Sequence, residues 1–134
     1  MSQQKIDYKE LSTGYEFAPA NFCPDGEMVT AYLSAIEGNK SVYEKNQIVP
    51  PMAIAALAMA AMSEAFILPP GTVHVSQELK FEETVKIGET LTSNARVNRK
   101  VERGKFNMLS VGINVLNQNQ VTVMTGETSF ILPL

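Results

Sequence analysis

Few side chains in this sequence carry chemistry, and their spacing limits what they can do. His74 is the single histidine and Cys23 the single cysteine of the 134-residue chain, so no cluster of imidazole and thiolate ligands can be assembled and no metal is expected. His74 alternates with apolar neighbours onto the wet side of Thr72–Phe81 and reads as a surface residue. Cys23 stands directly before Pro24 and reads as a helix cap, with nothing beside it in sequence to lower its pKa. Glu64 closes the most apolar stretch of the chain, where an unpaired carboxylate is costly; it is either the point where a buried helix emerges or a catalytic or polar-anchor group. One charge cluster is cationic: Arg96, Arg99, Lys100, Arg103 and Lys105 fall within ten residues and make up five of the 11 Lys and Arg. Such a group is a solvated hairpin end or a contact for an anionic ligand.

The elements that must position these residues come in two blocks, helices and then strands. Pro24 suits a first helical position, and Asp25 and Glu27 put negative charge where the helix dipole favours it. Met28, Val29, Tyr32, Leu33 and Ile36 recur at helical spacing until Gly38-Asn39 stops the run. After the polar, linker-like segment Gly38–Gln47, a second helix opens at Pro50-Pro51 and runs to Pro69-Pro70-Gly71. It is alanine-rich and apolar on nearly every side, so it should be buried all round, with strands rather than helices close against its small residues.

Those strands follow. In Thr72–Phe81 the apolar Val73, Val75, Leu79 and Phe81 alternate with polar residues, predicting one buried and one wet face. Gly88-Glu89 breaks to a strand carrying Leu91, Ala95 and Val97. Arg103-Gly104 turns into the next, with Leu109, Val111, Ile113 and Val115, and Asn117–Gln120 turns into Val121–Leu132. Gly126 inside that last strand marks a bulge or the close approach of another backbone. A further strand is expected around Tyr15–Ala20. One buried helix wrapped by a curved antiparallel sheet of about five strands is an α+β, hotdog-type architecture.

Composition agrees with one domain over residues 1–134, with 1–13 as a flexible N-terminus. Hydrophobic residues make up 45% and charged residues 19%, too apolar for disorder. The net charge of −3 gives no general attraction to nucleic acid. The polar Met1–Glu10 lacks the apolar core of a signal peptide, and Pro50–Met62 is well short of the roughly 20 apolar residues of a membrane span. A cytoplasmic, non-membrane protein is expected.

The segment VSQELKFEETVKIGETLTSNARV, Val75–Val97, resembles the strand–turn–strand signature of MaoC-like hydratases: a Ser-Gln pair, a basic-aromatic pair, then Val-x-x-Gly-acid. IVPPMAIAAL, Ile48–Leu57, resembles the opening of that family's hotdog helix, and AYLSAIEGN, Ala31–Asn39, its helix running into a Gly-Asp. The resemblance spans most of Cys23–Pro133 and implies a hotdog domain that binds acyl thioesters. Family members hydrate enoyl thioesters, or run the reverse dehydration, with the Asp and His of Gly-Asp-x-Asn-Pro-x-His holding one water. A backbone N–H polarises the thioester carbonyl.

Laid on this chain, the motif puts Asn39 where the Asp belongs and Glu44 where the His belongs, and an amide cannot act as a base. The connection from there to Pro50 is shorter than in active relatives. The His-Gly that opens the helix in active members is Pro50-Pro51 here, and proline removes the N–H at the Gly position, leaving later donors such as that of Met52. The resemblance therefore favours the substrate-holding half of two-part members. Asn39 and Glu44 mark the degraded catalytic positions, and Tyr43, Pro50, Pro51 and Met52 are the expected substrate contacts. Arg99 and Lys100 are expected on coenzyme A phosphates or an acidic carrier protein. The acidic base of one type of hotdog thioesterase falls at Met59, which does not support that mechanism.

The implied ligand is an acyl-CoA or acyl-carrier thioester, with no cofactor beyond coenzyme A as part of the substrate. The implied partner is a second copy or a catalytic hotdog subunit. Two alternatives stay open: an active hydratase or thioesterase with substituted catalytic groups, and a module that senses or buffers acyl-CoA without turnover.

Overall fold

The computed structural model describes residues 5–36 and 40–133, apart from the side chains of Lys40, Ser41 and Glu44. In chain order the elements are β1 (Ile6–Asp7), a short 3-10 turn (Tyr8–Glu10), β2 (Ala20–Phe22), α1 (Gly26–Ala35) and α2 (Lys40–Asn46). Then come α3 (Pro51–Ala65), β3 (Phe66–Ile67), β4 (Val73–Phe81), β5 (Leu91–Arg103), β6 (Phe106–Leu116) and β7 (Thr122–Leu132). β2, β5, β6, β7 and β4 form one antiparallel sheet in that order. Its inner face packs on α3: Val97, Leu109, Val111, Val115 and Met124 are fully buried, as are Ile54, Ala55 and Ala58 of the helix. This is the hotdog arrangement expected from the sequence. Among the described residues no helix is long and apolar enough to cross a membrane.

The alternation read in the long strands is kept over Val111–Val115 of β6, because a mid-sheet strand has a helix behind one face, while a bulge between Val97 and Arg99 breaks it in β5. Gly126 is a close-approach glycine: a Cβ there would lie 2.9 Å from the backbone oxygen of Glu78 on β4. The turn into β7 is built by Asn117, whose Oδ1 accepts from the N–H groups of Asn119 and Val121.

Other expectations need correcting. The first helix is capped by Asp25, whose Oδ1 accepts from Met28 N–H at 2.8 Å, while the Cys23 thiol donates to the Gly88 carbonyl at 3.4 Å; a carboxylate is the better acceptor for a first-turn donor. The linker-like Gly38–Gln47 contains α2. The strand expected at Tyr15–Ala20 is β2, Ala20–Phe22, preceded by one bridge, Glu16 with Arg96. α3 stops at Ala65, because Phe66–Ile67 turns extended to pair in parallel with Ile6–Asp7. Within the 1–13 stretch read as flexible, Tyr8 and Leu11 are buried in the core.

Two surfaces read as buried are open. α3 exposes a stripe at four-residue spacing, Met52, Ala56, Ala60 and Glu64, since the sheet covers only part of its circumference. On β4, Val73, Val75 and Phe81 are 56%, 47% and 38% exposed. β4 is the end strand of the sheet, and these three side chains stay open there while its Leu79 is half-buried against the core. A bulge between His74 and Ser76 also breaks its alternation and sets His74 opposite Phe130, with the rings 5.3 Å apart.

Candidate functional site

The two ends of α3 differ in what they offer a ligand. The helix opens with Pro50 as N-cap and Pro51 as its first residue, and no side chain caps it. Of the first-turn donors, Pro51 has none and the N–H of Ala53 goes to the Pro50 carbonyl at 2.9 Å. Met52, 53% exposed, carries the N–H that no carbonyl within the helix can take. The entry is fixed by an antiparallel strap: Val49 N–H donates to Val85 O and Ile87 N–H to Gln47 O, both at 2.8 Å. A groove of about 280 Å3 lies beside it, with Ile48, Pro51 and Ile54 on the helix side and Phe81, Glu82 and Glu83 opposite. Its charge is carboxylate, and Glu82 is paired with Lys80 at 3.2 Å on the surface.

The C-terminal end holds the groups the sequence singled out. Phe66, one residue past the helix, contacts Phe17 and Phe130, with centroids 5.3 and 6.4 Å away, and His74 stacks on the same Phe130. The one imidazole of the chain thus joins the ring cluster at the end of α3, a helix of 15 residues at ~1.5 Å each, about 22 Å long.

Lys100 is at that end too. Its side chain is 13% exposed, and Nζ donates to the carbonyls of Tyr8 and Leu11 at 3.0 and 2.7 Å. It also sits 4.3 Å from the Tyr8 ring centroid and 3.5 Å from Glu102. Tyr8 directly follows β1, which pairs with β3 at the end of α3, so this cation fastens the N-terminal segment. Lys100 was expected with Arg99 on a phosphate; its charge is committed within the fold instead. Burial first, then the charge of Glu102 and the hydrogen bond to it, push the Tyr8 phenol up to about 12. Arg99 is exposed on the outer face of the sheet, across from Ser110.

Of the other candidates, Asn39 lies outside the described residues and so does the Glu44 side chain. Tyr43 is half-buried against the core, Pro50 is buried, and Pro51 and Met52 are exposed together at the helix start. Met59 faces the sheet, its sulfur accepting from Thr128 Oγ1 at 3.4 Å. Glu82 and Glu83 were not singled out from sequence; they follow the basic-aromatic pair Lys80-Phe81 directly, and only the fold brings them beside Pro51. Among the described residues no three His, Cys, Asp or Glu side chains come together as a metal site.

A long helix in a five-stranded wrap with an open start leaves the lineage to be decided by sequence. The profile of the FAS1-like dehydratase domain region matches residues 13–126, most of the chain. The chain belongs to this dehydratase family. Solved structures of the same fold include the R-hydratase PhaJ1 from Pseudomonas aeruginosa in unliganded form, with TM-score 0.76 and 24% identity over 96% of this chain and 86% of that one. The MaoC-like dehydratase from Rhodospirillum rubrum has TM-score 0.74 and 14% identity over 93% and 94%. The C-terminally truncated HadBC (3R-hydroxyacyl-ACP dehydratase) complex from Mycobacterium tuberculosis has TM-score 0.72 and 18% identity over 89% and 96%. At these identities the likeness establishes the hotdog fold of the dehydratase-family domain and nothing finer. No curated protein matches the sequence.

Proposed function

We propose that this dehydratase-family domain binds an acyl thioester at the start of α3 and does not itself hydrate or dehydrate it, acting as the holding half of a pair of hotdogs. The observation that carries the reading is the Pro50-Pro51 opening of α3, with the single imidazole stacked on Phe130 at the opposite end. A water-adding site needs a base, an acid and an oxyanion donor within reach of one substrate. In this reading the N–H of Met52, the first-turn donor without a carbonyl in the helix, is left to a thioester oxygen, and the resemblance puts Asn39 at the position of the family's Asp. Coenzyme A or a carrier protein enters only as part of the substrate.

The partner in this reading covers the open stripe of α3 and the apolar β4 edge, two surfaces of the kind that association buries. A catalytic hotdog subunit suits the reading best, and the fold neighbour from M. tuberculosis is a two-protein dehydratase complex. A second reading, an active hydratase with substituted groups, draws on Glu82 and Glu83 lining the groove beside Pro51.

Calorimetric titration of the full chain with butyryl-CoA tests binding. Saturable uptake that weakens at least tenfold in Met52→Pro, which removes the remaining N–H, is expected. Absence of binding to any acyl thioester, alone or with a hotdog partner, contradicts the proposal.

A further inference from the structure

The face of the sheet turned away from α3 carries polar residues in cross-strand rows. Asn94 of β5 pairs with Asn114 of β6; in the next row Arg96 pairs with Gly112, and Gly112 with Glu127 of β7. They alternate with the buried Ser93, Val97, Val111, Ile113 and Val115, which puts them on the outer side. Where a row lacks a side chain, at Gly112, the face dips. A basin of about 550 Å3 lies there, with Asn94, Asn98, Asn114 and Arg96 in its lining and Glu16 and Pro19 as a wall on the β2 side. Small-molecule sites span about 300–1,000 Å3. The wall is tied to β5, since Glu16 bridges to Arg96 and Phe17 N–H donates to Ala95 O at 3.0 Å.

Gly112 also makes room for what crosses it. A Cβ there would lie 2.5 Å from Asn98 Nδ2 and 2.9 Å from its Oδ1, so the carboxamide of Asn98 lies over the glycine. From that position Nδ2 donates to Glu127 Oε2 at 2.8 Å, which fixes the amide. Among the described residues the side chains of Asn94, Asn114, Arg96 and Glu16 have no hydrogen bond or ion pair. Carboxamides both donate and accept, and the charges beside them turn ions away. An anion that reaches Arg96 meets the carboxylates of Glu16 and Glu127, and a cation that reaches those carboxylates meets the guanidinium. A neutral ligand dense in hydroxyls suits all of these groups.

We infer that this basin is a saccharide site, taking a neutral sugar of one or two rings on the side of the sheet opposite α3. It stands apart from the thioester reading, whose site is at the start of that helix. Asn94 and Asn114, about 5 Å apart as cross-strand neighbours, span one sugar ring. Arg96 donates to hydroxyl oxygens of the ring, and Glu16 accepts from a hydroxyl at the wall.

The test is calorimetric titration of the full chain with glucose, maltose, lactose and sucrose, beside glucuronate and glucosamine as charged counterparts of glucose. Saturable uptake of at least one neutral sugar with Kd of about 1 mM or tighter is expected, and both charged sugars should bind more weakly than glucose. Asn94→Ala with Asn114→Ala removes two uncommitted amides and should weaken uptake about tenfold. Gly112→Ala should do the same by pushing the Asn98 carboxamide off the floor; the atoms it meets are the end of a side chain, so the strand stays folded. No uptake of any neutral sugar overturns the inference, as does uptake that both variants leave unchanged. Glucuronate bound more tightly than glucose overturns it too and makes the basin an anion site on Arg96. A change in these variants confined to self-association would mean that protein, and no sugar, covers this face.

Discussion

At its C-terminal end α3 runs into directed contacts: the Phe17, Phe66 and Phe130 rings, His74 on the last of them, and Lys100 donating to two carbonyls under the Tyr8 ring. At its N-terminal end the same helix has two prolines, no cap from the N-cap side chain, an exposed methionine and a groove beside Pro51 and Ile54. Of the ionisable groups that look reactive in the sequence, His74 and Lys100 are at the closed end, and Lys100 fastens the N-terminal segment there. The open end, where Glu82 and Glu83 line the groove, is where a ligand has room. His74 and the open groove are thus at opposite ends of α3, and the carboxylates of Glu82 and Glu83 are the ionisable groups beside that groove.

Substitutions at the two ends should have unequal effects. The largest is expected for Lys100→Met, which keeps the aliphatic stem but strands the Tyr8 and Leu11 carbonyls; hydrogen bonds to a charged group and the cost of unpaired acceptors put the loss at about 2–4 kcal/mol in urea unfolding. A loss below half a kcal/mol would show that the closed end is no clamp. Tyr8→Phe removes one part-buried hydrogen bond to Glu102 and should cost about 1 kcal/mol near neutral pH. Because the phenol is raised from 10.0 to about 12, the folded chain holds this proton more tightly than the unfolded chain. That contribution is complete below pH 10 and is lost as pH climbs toward 12. Unfolding curves over this range should converge for the two proteins, the lysines being common to both; parallel curves would show Tyr8 to be unperturbed. Smallest of all is Met52→Ala at the open end, within about 0.5 kcal/mol as for other exposed sites. A larger loss would mean that the chain packs on Met52 itself.

The sequence carried the mid-sheet strands well, because Leu109, Val111, Ile113 and Val115 have a helix behind them and polar neighbours in front. Pro50-Pro51 marked the start of α3 for an equally local reason. What the sequence missed depends on where an element sits in the sheet. Val73, Val75 and Phe81 alternate like a buried strand, yet β4 is at the edge of the sheet and leaves them exposed. The apolar circumference of α3 has the same history at Met52, Ala56 and Ala60. Lys100 was read by charge alone; its burial depends on a contact with Tyr8 and Leu11, some 90 residues away, that no local pattern announces. Glu82 and Glu83 looked like turn residues until the fold set them beside Pro51, and Asn39 and Glu44 stand on the resemblance alone.

The central claim is that binding at the open end is uncoupled from catalysis, and hydration of crotonyl-CoA by the purified full chain, followed as loss of enoyl absorbance at saturating substrate, tests it most directly. Acid–base groups supply about 10²–10⁴-fold each, so their loss predicts no rate above the uncatalysed background. Turnover of about one per second or faster, within the ordinary enzyme range, that Asn39→Ala and Glu44→Ala or Glu82→Gln abolish would contradict the account and make this domain an enzyme with substituted groups.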